Sequence, residues 1–257
     1  MDKASAPVIE VQDLDVGYDE HMVLQGLNFS VNKGDIFIVM GVSGCGKSTL
    51  LKSMIGLKAP AKGKVLYSAK SFWDEDEKGQ NDIKRHLGVL YQSGALWSSL
   101  TVGENVALPL QLFTKSSKQQ LQEIVAAKLS LVGLGEDADS YPSQISGGMC
   151  KRASLARAIA LDPAIIFFDE PSAGLDPINS RKLDDLILKL RDSLGATFVV
   201  VTHELASIFA IGNNSVFLDE ASKTMIAGGD PKVLLVESKD SRVTQFLTRS
   251  SVEEVKR

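Results

Sequence analysis

Three glycines, a lysine and three hydroxyls in close succession, Gly41-Val42-Ser43-Gly44-Cys45-Gly46-Lys47-Ser48-Thr49, are the stretch of this chain with the clearest chemistry. The spacing is that of a phosphate loop, G-x-x-x-x-G-K-[ST]. Glycines reach backbone conformations closed to other residues, so several main-chain N–H groups can converge on one point. A helix beginning there adds unpaired N–H groups and a partial positive charge. Lys47 then reaches the β- and γ-phosphates of a nucleoside triphosphate, and the Ser48 hydroxyl ligates Mg2+. Downstream, Ile165-Ile166-Phe167-Phe168 ends in Asp169-Glu170-Pro171. Two carboxylates at the tip of a buried strand need a cation or hydrogen-bond partners. With a phosphate loop upstream, Asp169 is expected to hold Mg2+ through water and Glu170 to polarise an attacking water. His203, following Thr197-Phe198-Val199-Val200-Val201-Thr202, stands where it could sense a γ-phosphate. The plain alternatives are solvated acids at an ordinary strand end and a structural histidine.

Each of these groups needs an element to hold it. Ile36-Phe37-Ile38-Val39-Met40 reads as a buried strand feeding the loop. Leu50, Leu51, Met54, Ile55 and Leu57 have the spacing of a helix leaving it, with one face on a sheet. Residues 8–14 and 23–31 alternate as half-buried antiparallel strands, with Tyr18 in the turn between them. Further strands are predicted at 64–67 and 87–91, the latter ending at Gln92, and a closing hairpin at 216–227. The acidic run 73–79 reads as a solvated loop. Helix-forming stretches follow at 102–112 and 118–131. Ser146-Gly147-Gly148 opens another helix, a second N-terminus suited to an anion. Asp176-Pro177 starts a helix over 180–194, and Asp230-Pro231 and residues 241–247 give short ones. Leu96, Trp97, Leu100 and Val102 are either core or a surface that meets a partner.

The 257 residues suffice for one large domain, or a domain with a subdomain, burying roughly 70–75% of the unfolded surface. With 23% charged residues and a net charge of −4, the composition is that of a globular protein with no evident nucleic-acid partner. No apolar run reaches the length of a membrane span, and the start lacks the apolar core of a signal peptide. The expectation is therefore a cytosolic protein. Cys45 and Cys150 show neither metal-ligand spacing nor a disulfide framework. The tail 253–257 is charged and expected to be mobile.

In combination these motifs resemble an ATP-binding-cassette ATPase along essentially the whole chain. Tyr18 matches the adenine-stacking position, Gly41 to Ser48 the phosphate loop, Gln92 the Q-loop, and Ser146-Gly147-Gly148 the signature. Asp169 and Glu170 match the second Walker motif, residues 172–176 the D-loop, and His203 the switch histidine. The resemblance implies an α/β P-loop NTPase fold, a RecA-like core plus an antiparallel β subdomain, with an inserted α-helical subdomain. It places one cassette domain at 8–247, with 8–92 and 161–230 as core, 93–160 helical and 231–257 a C-terminal extension. It also implies ATP and Mg2+ as cofactors, with Ser48, Gln92 and water-mediated Asp169 at the metal. Lys47, Glu170 and His203 carry the catalysis, and a head-to-tail homodimer sandwiches ATP between one phosphate loop and the other signature. A narrower likeness lies in residues 91–102, in Glu104-Asn105-Val106 and Pro109-Leu110, in Ser-Gly-Gly-Met at the signature, and in residues 240–247. These are similar to MlaF-type ATPases, which drive phospholipid transport with MCE-domain proteins. That likeness implies an integral membrane permease, an MCE-domain partner, a small STAS-type regulatory subunit and a place at the cytoplasmic face of the inner membrane.

A P-loop kinase or GTPase would leave Ser146-Gly147-Gly148 and His203 without a role. Chromosome-maintenance ATPases need long coiled coils, and no sustained heptads occur here. The alternatives that remain are an ATPase of another import or export system and a soluble assembly ATPase of the iron–sulfur cluster type. In the implied dimer Cys45 and Cys150 of opposite chains would flank one nucleotide. Nearby N–H groups and Lys47 are expected to lower the Cys45 thiol pKa, making it sensitive to oxidation.

Overall fold

A computed structural model of the chain describes residues 7–19 and 21–249. The N-terminal start and the charged tail at 253–257 lie outside the described residues. The chain forms two compact units, one running up to Ile83 and resuming at Thr197, the other spanning Lys84–Ala196.

The first unit holds two groups of strands. β1 (Ile9–Tyr18) pairs antiparallel with β2 (His21–Val31) on one edge and with β4 (Lys62–Tyr67) on the other; β4 carries the short β5 (Lys70–Ser71). Ile9, Val11, Leu14 and Val16 point inward from β1, the half-buried pattern its sequence predicts. In the other group β3 (Ile36–Met40) lies parallel between β8 (Thr197–Val201) and β9 (Asn214–Asp219), and β10 (Thr224–Gly228) returns antiparallel on β9. Every residue of β3 and β8 is buried, which is why both read as unbroken apolar runs. Helix α1 (Lys47–Met54) leaves the tip of β3 and packs Leu50, Leu51 and Met54 inward. Gly56, with φ of 76°, turns the chain after it. Three more helices, α7 (Leu205–Ile211), α8 (Pro231–Glu237) and α9 (Ser241–Thr248), complete the unit.

The acidic run is not the loop its composition predicts. A single 3-10 turn forms at Phe72–Asp74, and α2 (Glu77–Lys84) follows with no buried residue. A helix that buries no residue completely leaves little apolar periodicity in the sequence, so charge alone misleads here.

In the second unit β6 (Leu87–Leu90) and β7 (Ile165–Asp169) pair in parallel, Leu87 opposite Ile165 and Leu90 opposite Phe168. Between them run α3 (Val102–Phe113), α4 (Lys118–Leu131) and α5 (Gly147–Ala158), with α3 packed on both α4 and α5. Capping boxes start α3 (Thr101 with Glu104) and α4 (Ser117 with Gln120). Helix α6 (Pro177–Leu194) begins three residues before the expected Ser180. Asp176 caps it through the Ile178 and Asn179 N–H groups, and Pro177 has its φ preset for the first turn. Among the described residues no helix is long and apolar enough to cross a membrane.

Candidate active site

The loop after β3 is shaped by glycines that other residues could not replace. At Gly41, with φ of 151°, a Cβ would lie 2.4 Å from the Leu218 carbonyl oxygen and 2.8 Å from Cys45 Sγ. At Gly46, with φ of 102°, it would meet Val23 Cγ1 at 2.6 Å. The Cys45 N–H donates to the Val42 carbonyl, and Thr49 and Leu50 N–H both donate to Gly46 O at 3.0 Å, opening α1. The N-terminus of α1 has no side-chain cap and no acid in its first turn, the state in which it best receives an anion. Lys47 is buried and folds back, its Nζ donating to Gly41 O at 3.0 Å and Val42 O at 2.9 Å. The ammonium thus sits at the loop mouth on bonds that phosphate oxygens could take over. Val42, Ser43, Gly44 and Ser48 are exposed along the same loop.

Cys45 corrects the sequence expectation. Its side chain is buried, and that burial pushes the thiol above its ordinary range, outweighing the lowering by Lys47. The Cys150 thiol is raised as well, again by burial, with Sγ against Pro142 O at 3.4 Å. Neither is an activated thiolate.

In the second unit, β7 buries four residues and then presents Asp169 and Glu170 half-buried at its tip. Glu170 has φ of 47°, a left-handed conformation that costs a non-glycine residue about 1–2 kcal/mol. Strain held at a carboxylate after a buried strand marks a site where its direction matters. The 172–176 turn follows, with the Leu175 N–H on Ser172 O. Ser146 caps α5 by accepting from the Met149 N–H, and at Gly147 an added Cβ would meet nothing within 4 Å. No packing demand therefore explains that glycine. An open backbone at a helix N-terminus suits a group arriving from outside.

Gln92 is exposed, and its carbonyl accepts from Lys151 Nζ on α5. Lys151 is buried; desolvation lowers its pKa while the charges of Asp169 and Glu170 act against that. Arg157, two turns further on, donates to Ala95 O at 2.7 Å and Gly94 O at 2.8 Å. Ser154 lies between them, its Oγ 2.6 Å from where a Gly94 Cβ would stand. Lys151, Ser154 and Arg157 thus form one stripe that fastens the segment after β6 to the signature helix. Sequence reasoning passed over these residues; their three-residue spacing on an alanine-rich helix was the available signal.

Tyr18 ends β1, exposed, with Lys58 Nζ 4.1 Å from its ring centroid. His203 is exposed just after β8, and the following Glu204 N–H is tied to Thr202 Oγ1. Gly41 to Thr49, Tyr18 and His203 belong to the first unit; Gln92, Ser146, Gly147, Gly148, Asp169 and Glu170 belong to the second. Of the four apolar residues near Gln92, Val102 is core, Leu96 and Leu100 are half-buried, and Trp97 is 60% exposed. Among the described residues no group of three His, Cys, Asp or Glu is arranged for a metal. Ser48, Gln92 and Asp169 each carry an oxygen donor of the hard type that Mg2+ takes.

A family model described as ABC transporter matches residues 24–173. The chain belongs to the ABC transporter ATPase family. The intermembrane phospholipid transport system ATP-binding protein MlaF of Haemophilus influenzae is 38% identical over 244 residues, 95% of this ABC ATPase and 91% of the relative. A probable ribonucleotide transport ATP-binding protein, mkl of Mycobacterium leprae, is 37% identical over 93% of this chain and 68% of its own. Among solved structures, a Clostridium perfringens component of the cbiONQ ABC transporter complex superposes with a TM-score of 0.82 at 26% identity, over 95% of this chain and 96% of that one. A dimeric cassette in a post-hydrolysis state with ADP and phosphate gives 0.78 at 29% identity, over 86% and 98%. The ABC ATPase thus has the expected P-loop α/β fold and is an ATP-hydrolysing subunit of the transporter type.

Proposed function

We propose that this ATPase powers a phospholipid transport system of the MCE type at the cytoplasmic face of the inner membrane. The observation that carries the lipid reading is 38% identity to an MlaF protein along 91% of that relative's length. On this reading residues 8–247 are one cassette, 93–160 its helical subdomain and 231–257 an extension. Two copies pair head to tail and engage an integral membrane permease, an MCE-domain protein and a small STAS-type subunit.

The same reading assigns the residue roles. N–H groups of Gly41 to Ser48 and of the α1 N-terminus bind the triphosphate, and Tyr18 receives the adenine. Lys47 exchanges its bonds to Gly41 O and Val42 O for phosphate oxygens. Ser48, Gln92 and, through water, Asp169 would hold Mg2+, which would neutralise charge on the phosphates when bound. Glu170 orients the attacking water and accepts its proton. His203 donates a hydrogen bond towards the γ-phosphate position and couples hydrolysis to opening. The Ser146 side chain and the N–H groups of Gly147 and Gly148 meet the nucleotide of the partner copy.

The test is ATP-driven transfer of fluorescent phospholipid between vesicles by the membrane complex isolated through a tag on this chain. ATP-dependent lipid movement is expected. Movement of ribonucleotide instead, with lipid unmoved, would support the second reading offered by the 37% identical mkl relative.

A further inference from the structure

The turn after α1 brings a cation to the ring proposed to receive adenine. Leu57 and Lys58 N–H both donate to Lys52 O, at 2.8 and 3.1 Å, so the chain wraps back over the last turn of the helix. Ala61 N–H then donates to Asp15 O at 2.8 Å, which fastens this turn to β1 towards the end that carries Tyr18. β1 is held in turn by β2, Gly17 opposite Met22 and Tyr18 opposite His21, and a Cβ on Gly17 would lie 2.4 Å from His21 O. Val23 and Leu24 of β2 press against Gly46 of the phosphate loop, where an added Cβ would meet them at 2.6 and 3.0 Å. Tyr18 therefore stands on a strand pair packed on the phosphate loop, and Lys58 on a turn bound to that strand. Lys58 Nζ lies over the ring, 4.1 Å from its centroid, while 45% of Tyr18 stays exposed.

We infer that Lys58 is a positioning residue for the nucleotide base, backing one face of Tyr18 so that adenine stacks on the other. The inference rests on the proposed place of adenine at Tyr18 and adds the residue that makes the ring a firm and receptive platform. An aromatic face carries partial negative charge, and two such faces laid flat against each other repel unless offset. An ammonium over one face is attracted to it and draws π density towards itself. The opposite face is then less negative and takes the π cloud of a purine at lower electrostatic cost. The same attraction fixes the plane of a side chain that the strand end leaves exposed, so less freedom is lost when the base arrives. The pair is specific to the packing of this chain, because residues 18 and 58 meet only through the bond that joins the turn after α1 to β1.

The experiment measures, by titration calorimetry on the full-length chain, the affinity for a non-hydrolysable ATP analogue and for inorganic tripolyphosphate, which has the phosphates without the base. Lys58→Met keeps the aliphatic stem and removes the charge. It should weaken binding of the analogue roughly two- to fivefold and leave tripolyphosphate unchanged. Lys58→Arg, which keeps a cation able to lie over the ring, should bind the analogue like wild type. Tyr18→Ala should weaken the analogue roughly five- to hundredfold. Adding Lys58→Met to Tyr18→Ala should cost nothing more, because the charge acts through the ring. Equal losses for the analogue and for tripolyphosphate would mean that the ammonium serves the phosphates, and would overturn the inference. A Lys58→Met effect that persists undiminished without Tyr18 overturns it too. If Tyr18→Ala weakens binding and Lys58→Met does not, the inference fails while adenine keeps its place at Tyr18; if Tyr18→Ala changes nothing, the base lies elsewhere and both fail.

Discussion

Glu170 pairs a proposed catalytic role with a backbone conformation that works against the residue, and the pairing is testable. Glu170→Gln keeps size and hydrogen bonding but cannot accept a proton, so steady ATP turnover should fall roughly a hundred- to ten-thousandfold. Nucleotide binding, read by a fluorescent ATP analogue, should persist; turnover near wild type would remove Glu170 as base. Glu170→Gly, which relieves φ of 47°, should stabilise the backbone and still be inactive. Cys45 gives a second prediction at this scale. Because burial raises its pKa, little thiolate exists near neutral pH, and the reactive fraction grows only as pH climbs past the ordinary thiol range. Iodoacetamide at pH 7.5 should label half-buried Cys150 before Cys45, as mass spectrometry of the two peptides would reveal. Preferential labelling of Cys45 would restore the activated thiol that its neighbours alone suggest. The sequence names Lys47 as a neighbour, but how deeply the sulfur is buried depends on chain far away, such as the Leu218 carbonyl beside Gly41. Residue types and spacing were legible for that reason, and the sign of this pKa was not.

Elements with a buried face are readable from their sequence, while those lacking one are not. β3 and β8 announce themselves as apolar runs, whereas α2 buries nothing and hides behind its charge. Helix α7, seven residues of LASIFAI, is too short and too uniformly apolar to show a period. The stripe of Lys151, Ser154 and Arg157 is invisible for another reason. Its partners are backbone carbonyls, which every sequence supplies, so no complementary residue type points to it. One prediction at this scale concerns α9 and the hairpin turn. Asp219, at the end of β9, accepts from the Ser222 hydroxyl at 2.6 Å, the Ser222 N–H at 2.8 Å and Arg242 at 2.7 Å. These partners, the Ser222 hydroxyl first, hold its pKa below the ordinary carboxylate value. Its stabilising contribution is then complete above about pH 3.9, the unfolded value, and is lost as pH falls through the lower folded pKa. Asp219→Asn should lower stability by roughly 1–2 kcal/mol at neutral pH, and urea midpoints of variant and wild type should converge as the medium becomes strongly acidic.

At the scale of the whole molecule, the two helix starts proposed to receive phosphate lie on separate compact units, Gly46 before α1 and Ser146 before α5. The first is lined by a lysine and a hydroxyl and can hold a triphosphate without help. The second has no cation of its own in its first turn and an unobstructed Gly147, which suits a nucleotide already held elsewhere. In the proposed head-to-tail pair that nucleotide belongs to the other copy, so ATP itself joins the chains and hydrolysis parts them. Blocking hydrolysis should therefore trap the joined state. Glu170→Gln with ATP and Mg2+ should elute as a dimer and return to monomer when ATP is removed, with light scattering as the measure. Adding Ser146→Arg should fill the approach to Gly147 and cap α5 badly, abolishing the dimer while leaving nucleotide binding to the phosphate loop within about threefold of the parent. If the double variant dimerises as well as Glu170→Gln alone, the signature does not contact the partner's nucleotide. If neither variant dimerises although both bind ATP, then nucleotide alone does not pair the chains, and the permease must bring the two copies together.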